Sequence, residues 1–215
     1  MTVLKRTSIK NQVYELIKGR ILNQTYGFGH KINMLELSQE LGVSNSPIRE
    51  ALSILESEHL VVFKPNAGPS VIEINEQIFD EVETTAMVLL SGSYDQCIMQ
   101  NVIPQVIRAM ETCLAEQERL ADNTDRESLF EFAKLSIVFD ISIIKALNNA
   151  TLNQLYDSFF NLLYMVVIYD HQKVGFDRRK SIEEHRLILD TIKAGDHDEV
   201  KKNIRLHFSR SLNLI

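Results

Sequence analysis

The chain has 215 residues, 45% of them hydrophobic and 24% charged, with a formal net charge of -6. These values sit near globular averages, so they exclude a disordered chain, and the length suffices for one large or two small domains with real cores. No stretch approaches the roughly 18 consecutive apolar residues of a membrane helix, and the start, MTVLKRTSIKNQ, lacks the apolar core of a signal peptide. A soluble, cytoplasmic protein with no membrane partner is expected.

Charge is unevenly spread: residues 1–72 carry a net +2, leaving -8 for the remainder. A faintly basic head on an acidic body is the pattern of a small DNA-reading module joined to a domain of another kind. Cys97 and Cys113 are the two cysteines, with no CxxC spacing and no nearby paired His, so they indicate neither a disulfide framework nor a zinc knuckle.

In chain order, NQVYELIKGRILNQ places Val13, Leu16, Ile17 and Ile21 at helical spacing, and TYGFGHK ends that helix. NMLELSQELG predicts a second helix stopped by Gly42. A third follows after a turn of three or four residues, with Ile48, Leu52 and Leu55 as its buried stripe. LVVFKPNAGPSVIEI then gives two strand-like runs around the turn formers of KPNAG. Three helices and a hairpin predict a winged helix. After Glu76 the strand signals vanish, and helical periodicity continues with breaks at NVIP, DNTD, LNNAT, HQKVGFD and AGDHD. The fold class expected is therefore mainly α, with an N-terminal winged helix-turn-helix over 1–74 and a C-terminal all-helical bundle over 75–215.

A helix-turn-helix needs a small residue where its helices cross, a turn residue tolerant of positive φ, and apolar residues that lock the second helix. Ser38, Gly42, Val43, Ile48 and Ala51 stand at those spacings. The first turn of the second helix is then free to enter a major groove, and Ser44, Asn45, Ser46 and Arg49 fall there. Pro47 is tolerated because first-turn N–H groups have no intrahelical partner. An ordinary helical hairpin capped by Ser44 or Ser46 is the competing explanation of the same residues.

The longer stretch VYELIKGRILNQTYGFGHKINMLELSQELGVSNSPIREALSILESEHLVVFKPNAGPSV resembles the winged-helix domain of the GntR family of bacterial transcription regulators. LGVSNSPIREALSILESEHLV is similar to the signature around its recognition helix, and PNAGPSV to its wing tip. The resemblance implies DNA contacts by Ser44, Asn45, Ser46 and Arg49, with Lys31, Lys64, Asn66 and Gly68 as further contacts and Lys10 beside them. Asn45 stands where the family usually has Arg, Met34 and Leu35 where it often has a charged pair, and Ala67 where its wing commonly carries Arg. The thinned set of phosphate contacts implies modest affinity or an unusual operator.

The second half resembles the FadR-like effector domain, often called FCD. SIVFDISIIKALNNATL is similar to one family segment through Ser136, Phe139, Asp140, Ile143, Ala146 and Asn149, and EEHRLILDTIKAGDHDEVKKNIRLHF to the closing helix pair, with His185 and His207. In the family three His and one Asp bind a divalent metal. Here the corresponding set is Ser136, Asp140, His185 and His207, which implies a three-ligand site of Asp140, His185 and His207 for Zn, Ni or Mn. The other filling of the same positions is a hydrogen-bonded core cluster without metal. Ser136, Asn149 and Tyr164 are expected in the effector pocket, with Tyr156 and Tyr169 nearby. The family's effector-facing Arg and Glu correspond to Ala86 and Leu90, so a simple organic acid is not implied.

The function expected is a ligand-responsive, sequence-specific transcriptional regulator, a repressor by family habit, that binds a palindromic DNA operator as a homodimer and answers to a small-molecule effector. The alternative is a dimeric architectural DNA-binding protein without ligand or metal. An enzyme is disfavoured: EEHRL is not HExxH, no Gly-rich phosphate loop is present, and no Ser or Cys stands in a recognisable nucleophile setting.

Overall fold

The computed structural model describes residues 8–65 and 67–208, so Asn66 of the wing tip, and Ser211, which stands at helical spacing from Ile204 and His207 in the sequence, lie outside the described residues. The chain divides into two compact units, Met1–Ile74 and Asn75–Ile215. The element content is mainly α, with one small sheet.

In the first unit, α1 (Ile9–Leu22) starts where Ser8 accepts the Asn11 N–H, and it buries Val13, Ile17 and Ile21. Helix α2 (Met34–Leu41) starts at Asn33, whose side chain accepts the N–H groups of Leu35 and Glu36, and ends at Gly42 with φ 63°. That left-handed conformation favours Gly, and it turns the chain within three residues into α3 (Asn45–Ser57). The Ser38 hydroxyl donates to the Val43 carbonyl at 2.6 Å, pinning the turn from the side of α2. Ile48, Ala51, Leu52 and Leu55 of α3 are fully buried against the stripe of α1.

The wing is an antiparallel pair, β1 (Val61–Lys64) and β2 (Gly68–Val71), in register Val61↔Val71 to Lys64↔Gly68. Gly68 has φ 79°, which a side chain rarely adopts. A bridge between Lys31 and Ser70 adds a short third rung, held by Ile32 N–H to the Pro69 carbonyl and Val71 N–H to the His30 carbonyl, both 2.9 Å. Its single rung left no alternating pattern in the sequence to announce it.

The second unit consists, among the described residues, of α4 (Glu76–Met99), α5 (Ile103–Leu120), α6 (Arg126–Ala146), α7 (Ala150–His171), α8 (Arg178–Ala194) and α9 (His197–Phe208). Asn75, Asp125, Asn149 and Asp177 cap α4, α6, α7 and α8 through their side chains. Helix α6 is the central one. It packs on α4, α5 and α7, while α8 packs on α5 and α9, and α9 on α4. No helix among the described residues is long and apolar enough to cross a membrane.

Candidate functional site

In the first unit the exposed opening of α3 presents Ser44, Asn45, Ser46 and Arg49. Ser44 is the N-cap residue but makes no side-chain cap bond, so its hydroxyl is not used up in stabilising the helix. Ser46 donates to Glu50 at 3.3 Å. The buried face one turn away holds the helix rigidly while the polar face stays at the surface, which is the arrangement a groove-reading helix needs. Lys31 is exposed at the bridge to Ser70, and Lys64 ends β1 in an exposed ion pair with Glu73 at 3.4 Å. Gly68 opens β2.

In the second unit three helices bring together Asp140 (α6), His185 (α8) and His207 (α9), with one potential ligand atom of each lying within 4.8 Å of the others. Helical spacing explains the convergence. Ala133, Ser136, Asp140 and Ile143 share the buried face of α6, which the C-cap Leu147 continues, as do His185, Ile188 and Ile192 on α8 and Val200 and Ile204 on α9. Each polar group is therefore carried inward by an apolar stripe.

The two imidazoles differ. His185 is fully buried, stacks on Phe139 at 4.3 Å between ring centroids, and engages Gln117 Oε1 through Nδ1 at 2.8 Å. Burial, followed by the neighbouring His207 and His171, pushes its pKa well below the usual imidazole value, so it is neutral. Its Nε2 has no hydrogen-bond partner. For His207, burial also works against the charged form, yet Asp140, together with Glu83 and Asp170, outweighs it and raises the pKa. Its Nε2 stands 3.7 Å from Asp140 Oδ2 and its Nδ1 3.2 Å from Glu184 Oε2.

A buried polar atom without a partner costs roughly 1–3 kcal/mol. A bare imidazole nitrogen facing a carboxylate and a second imidazole is the donor set of a borderline divalent cation such as Zn²⁺, Ni²⁺ or Mn²⁺. The residues present thus fit a metal. Beside them lies a cavity of about 50 Å³, to which Glu83, Ser136, Asp140, Asp170, His171 and His207 contribute the polar lining. A smaller one of about 10 Å³ shares Asp140, Leu163 and Phe208 with it and is otherwise apolar, walled by Ala86, Leu90 and Tyr156 among others.

Two residues expected in the pocket stand elsewhere. Asn149 is exposed, and its carboxamide accepts the Leu152 N–H as the cap of α7. Tyr164 stacks on Phe160 with ring centroids 6.3 Å apart. The α7 stripe that lines the larger cavity is Leu163, Val167, Asp170 and His171, and Tyr164 lies one residue round the helix from it. Tyr169 packs against Phe79 and Lys173 instead. Conversely, Gln117, Glu184, Glu83, Asp170 and His171 were not singled out from sequence. Gln117 had a usable signal: it continues the buried stripe Val106, Met110, Cys113 at spacings of three and four.

A winged helix with an exposed polar recognition face, followed by a helical unit built around a polar pocket, defines a DNA-binding transcription regulator. Residues 9–71 match the model of the bacterial regulatory proteins of the gntR family, and residues 96–210 match that of the FCD domain. The chain belongs to the GntR family, in its FCD-containing branch. It is similar to the HTH-type transcriptional regulator YdhC of Bacillus subtilis, 27% identical with 95% of this chain and 90% of the relative covered. It is also similar to the gluconate operon transcriptional repressor of Bacillus licheniformis, 24% identical with 95% and 84% covered. Among solved structures, E. coli McbR/YncC shares the fold with a TM-score of 0.69 at 20% identity, covering 96% of each chain. The protein is a regulator of transcription and not an enzyme.

Proposed function

We propose that this protein is a cytoplasmic, homodimeric repressor that binds a palindromic operator through Ser44, Asn45, Ser46, Arg49 and the wing, and that a small molecule bound in the 75–215 unit alters that binding. The observation that carries the sensing role is the Asp140–His185–His207 cluster, with the bare Nε2 of His185 in it and a cavity beside it. Asp140, His185 and His207 would hold a divalent metal, which would supply a positive centre with coordination positions left open to a ligand in the cavity. The chain's own residues shape the space for that ligand: Ser136 and Asp170 stand in the polar lining, and Leu163 and Phe208 form an apolar wall. Repression is the regulatory sign supported by the gluconate operon relative.

The test is footprinting of the full chain on DNA selected from random sequence, repeated with a thermal-shift panel of small acids, sugars and acyl compounds. Two dyad-related half-sites, and at least one compound that both raises the thermal midpoint and changes operator affinity, are expected. A footprint without a dyad contradicts the dimeric reading. An architectural protein would show DNA binding that no stabilising compound alters.

A further inference from the structure

From the hydrogen bonds behind His185, we infer that Gln117, anchored by Ser136, is a positioning residue that fixes the tautomer of His185 and so presents the Nε2 lone pair to Asp140 and His207. The inference deepens the metal reading proposed above and rests on it for its purpose, although the tautomer itself can be measured without metal.

The hydrogen bonds present run in one consistent direction. Ser136 Oγ lies 3.1 Å from the Phe132 carbonyl, which can only accept, so the hydroxyl donates there. Its oxygen is left as an acceptor, and it faces Gln117 Nε2 at 3.5 Å. With the amide nitrogen turned to Ser136, Gln117 Oε1 faces His185 Nδ1 at 2.8 Å. Oε1 has no proton to give, so Nδ1 must carry the hydrogen, and a neutral imidazole then has none on Nε2. Turning the amide over would require the Ser136 hydroxyl to leave the Phe132 carbonyl and donate to Oε1, so the bond to Phe132 favours the orientation present.

Burial gives the arrangement its force. Gln117 and His185 are both 0% exposed and Ser136 is 6% exposed. Water has little access to substitute for a missing partner. A fully buried Gln on an otherwise apolar stripe of α5 loses rotamer freedom and solvation, and its two amide atoms are used on His185 and Ser136. Outer partners of this kind orient ligating imidazoles and set which nitrogen is available. On the opposite side Glu184 stands 3.2 Å from His207 Nδ1, so both imidazoles turn Nε2 to the shared centre.

The experiment uses the full chain with Gln117→Leu, Gln117→Glu and Ser136→Ala. Long-range ¹H–¹⁵N histidine spectra of metal-free protein report the tautomer, and competition with a chromophoric chelator reports zinc affinity. The wild type is expected to show His185 protonated on Nδ1. Q117L should mix the tautomers and weaken zinc binding by about 10–100-fold. Q117E keeps an acceptor facing Nδ1 and should retain the tautomer and most of the affinity, whereas S136A should act like Q117L with a smaller effect. A wild-type His185 protonated on Nε2, or a Q117L protein with unchanged tautomer and affinity, overturns the inference. If Q117L fails to fold, S136A decides it by the same two readouts: a shift in either supports the role, and no shift in both overturns it. A wild type with the Nδ1–H tautomer, mixed in Q117L, that binds none of Zn²⁺, Ni²⁺ and Mn²⁺ supports Gln117 as the tautomer-setting residue and overturns the metal reading alone.

Discussion

Arg49 stands exposed on α3 one turn beyond Asn45, while its neighbour Ile48 is fully buried. Arg49→Ala should therefore abolish operator binding in a gel-shift assay and move unfolding stability by less than about 0.5 kcal/mol, the usual range for exposed positions. At this scale the cluster residues were legible through the resemblance to the family's metal positions, and the apolar stripes around Asp140, His185 and His207 indicated only that they point inward. Asn149 misled because a polar side chain near a helix start serves the cap equally well, and capping is the use the structure shows. Tyr164 misled because an aromatic residue one position round α7 belongs to a different face. Gln117 escaped because it sits in the charged run AEQERL, where composition suggests a solvated surface although the stripe through Met110 and Cys113 is buried.

Helices α2 and α3 are joined by a turn that depends on one backbone conformation. A Cβ at Gly42 would meet no atom within 4 Å, so only its φ of 63° resists substitution. Gly42→Ala should cost about 1–2 kcal/mol by denaturant unfolding, the penalty of the left-handed region for an L-residue. Leu52→Ala, which empties a fully buried site on α3, should cost roughly 2–5 kcal/mol in the same assay. The cap of α6 makes a pH-dependent prediction. The Ser128 N–H donated to Asp125 holds that carboxyl below its ordinary pKa, so its contribution is present above the unfolded pKa, roughly 4, and is lost as pH falls through the folded value. Asp125→Asn keeps a capping oxygen without the titration. Its stability should match the wild type near neutrality and fall less on acidification; an identical acid profile would contradict the assigned cap. Nearly every helix break was visible as Gly, Pro or Asn punctuation, because those residues act locally. The Lys31–Ser70 bridge was not visible, since it pairs two backbones that carry no alternating pattern.

Over the whole molecule, the first unit follows from sequence almost completely, because its signature is local, whereas the pocket of the second depends on which helices meet. Helix periodicity predicts an inward face but not its partner, and so Gln117 of α5 behind His185 of α8 could be found only in three dimensions. The sensing role proposed for this unit rests on Asp140, His185 and His207 together holding a divalent metal. Its most direct measurement is the thermal midpoint of the full, chelator-treated chain with and without added Zn²⁺ or Ni²⁺, beside His185→Ala and His207→Ala. A metal that binds only the folded state at 100 times its Kd adds about 2.7 kcal/mol. The wild-type midpoint should rise, and neither variant's should. A wild-type midpoint that none of these metals moves, or variants that respond as the wild type does, would contradict it.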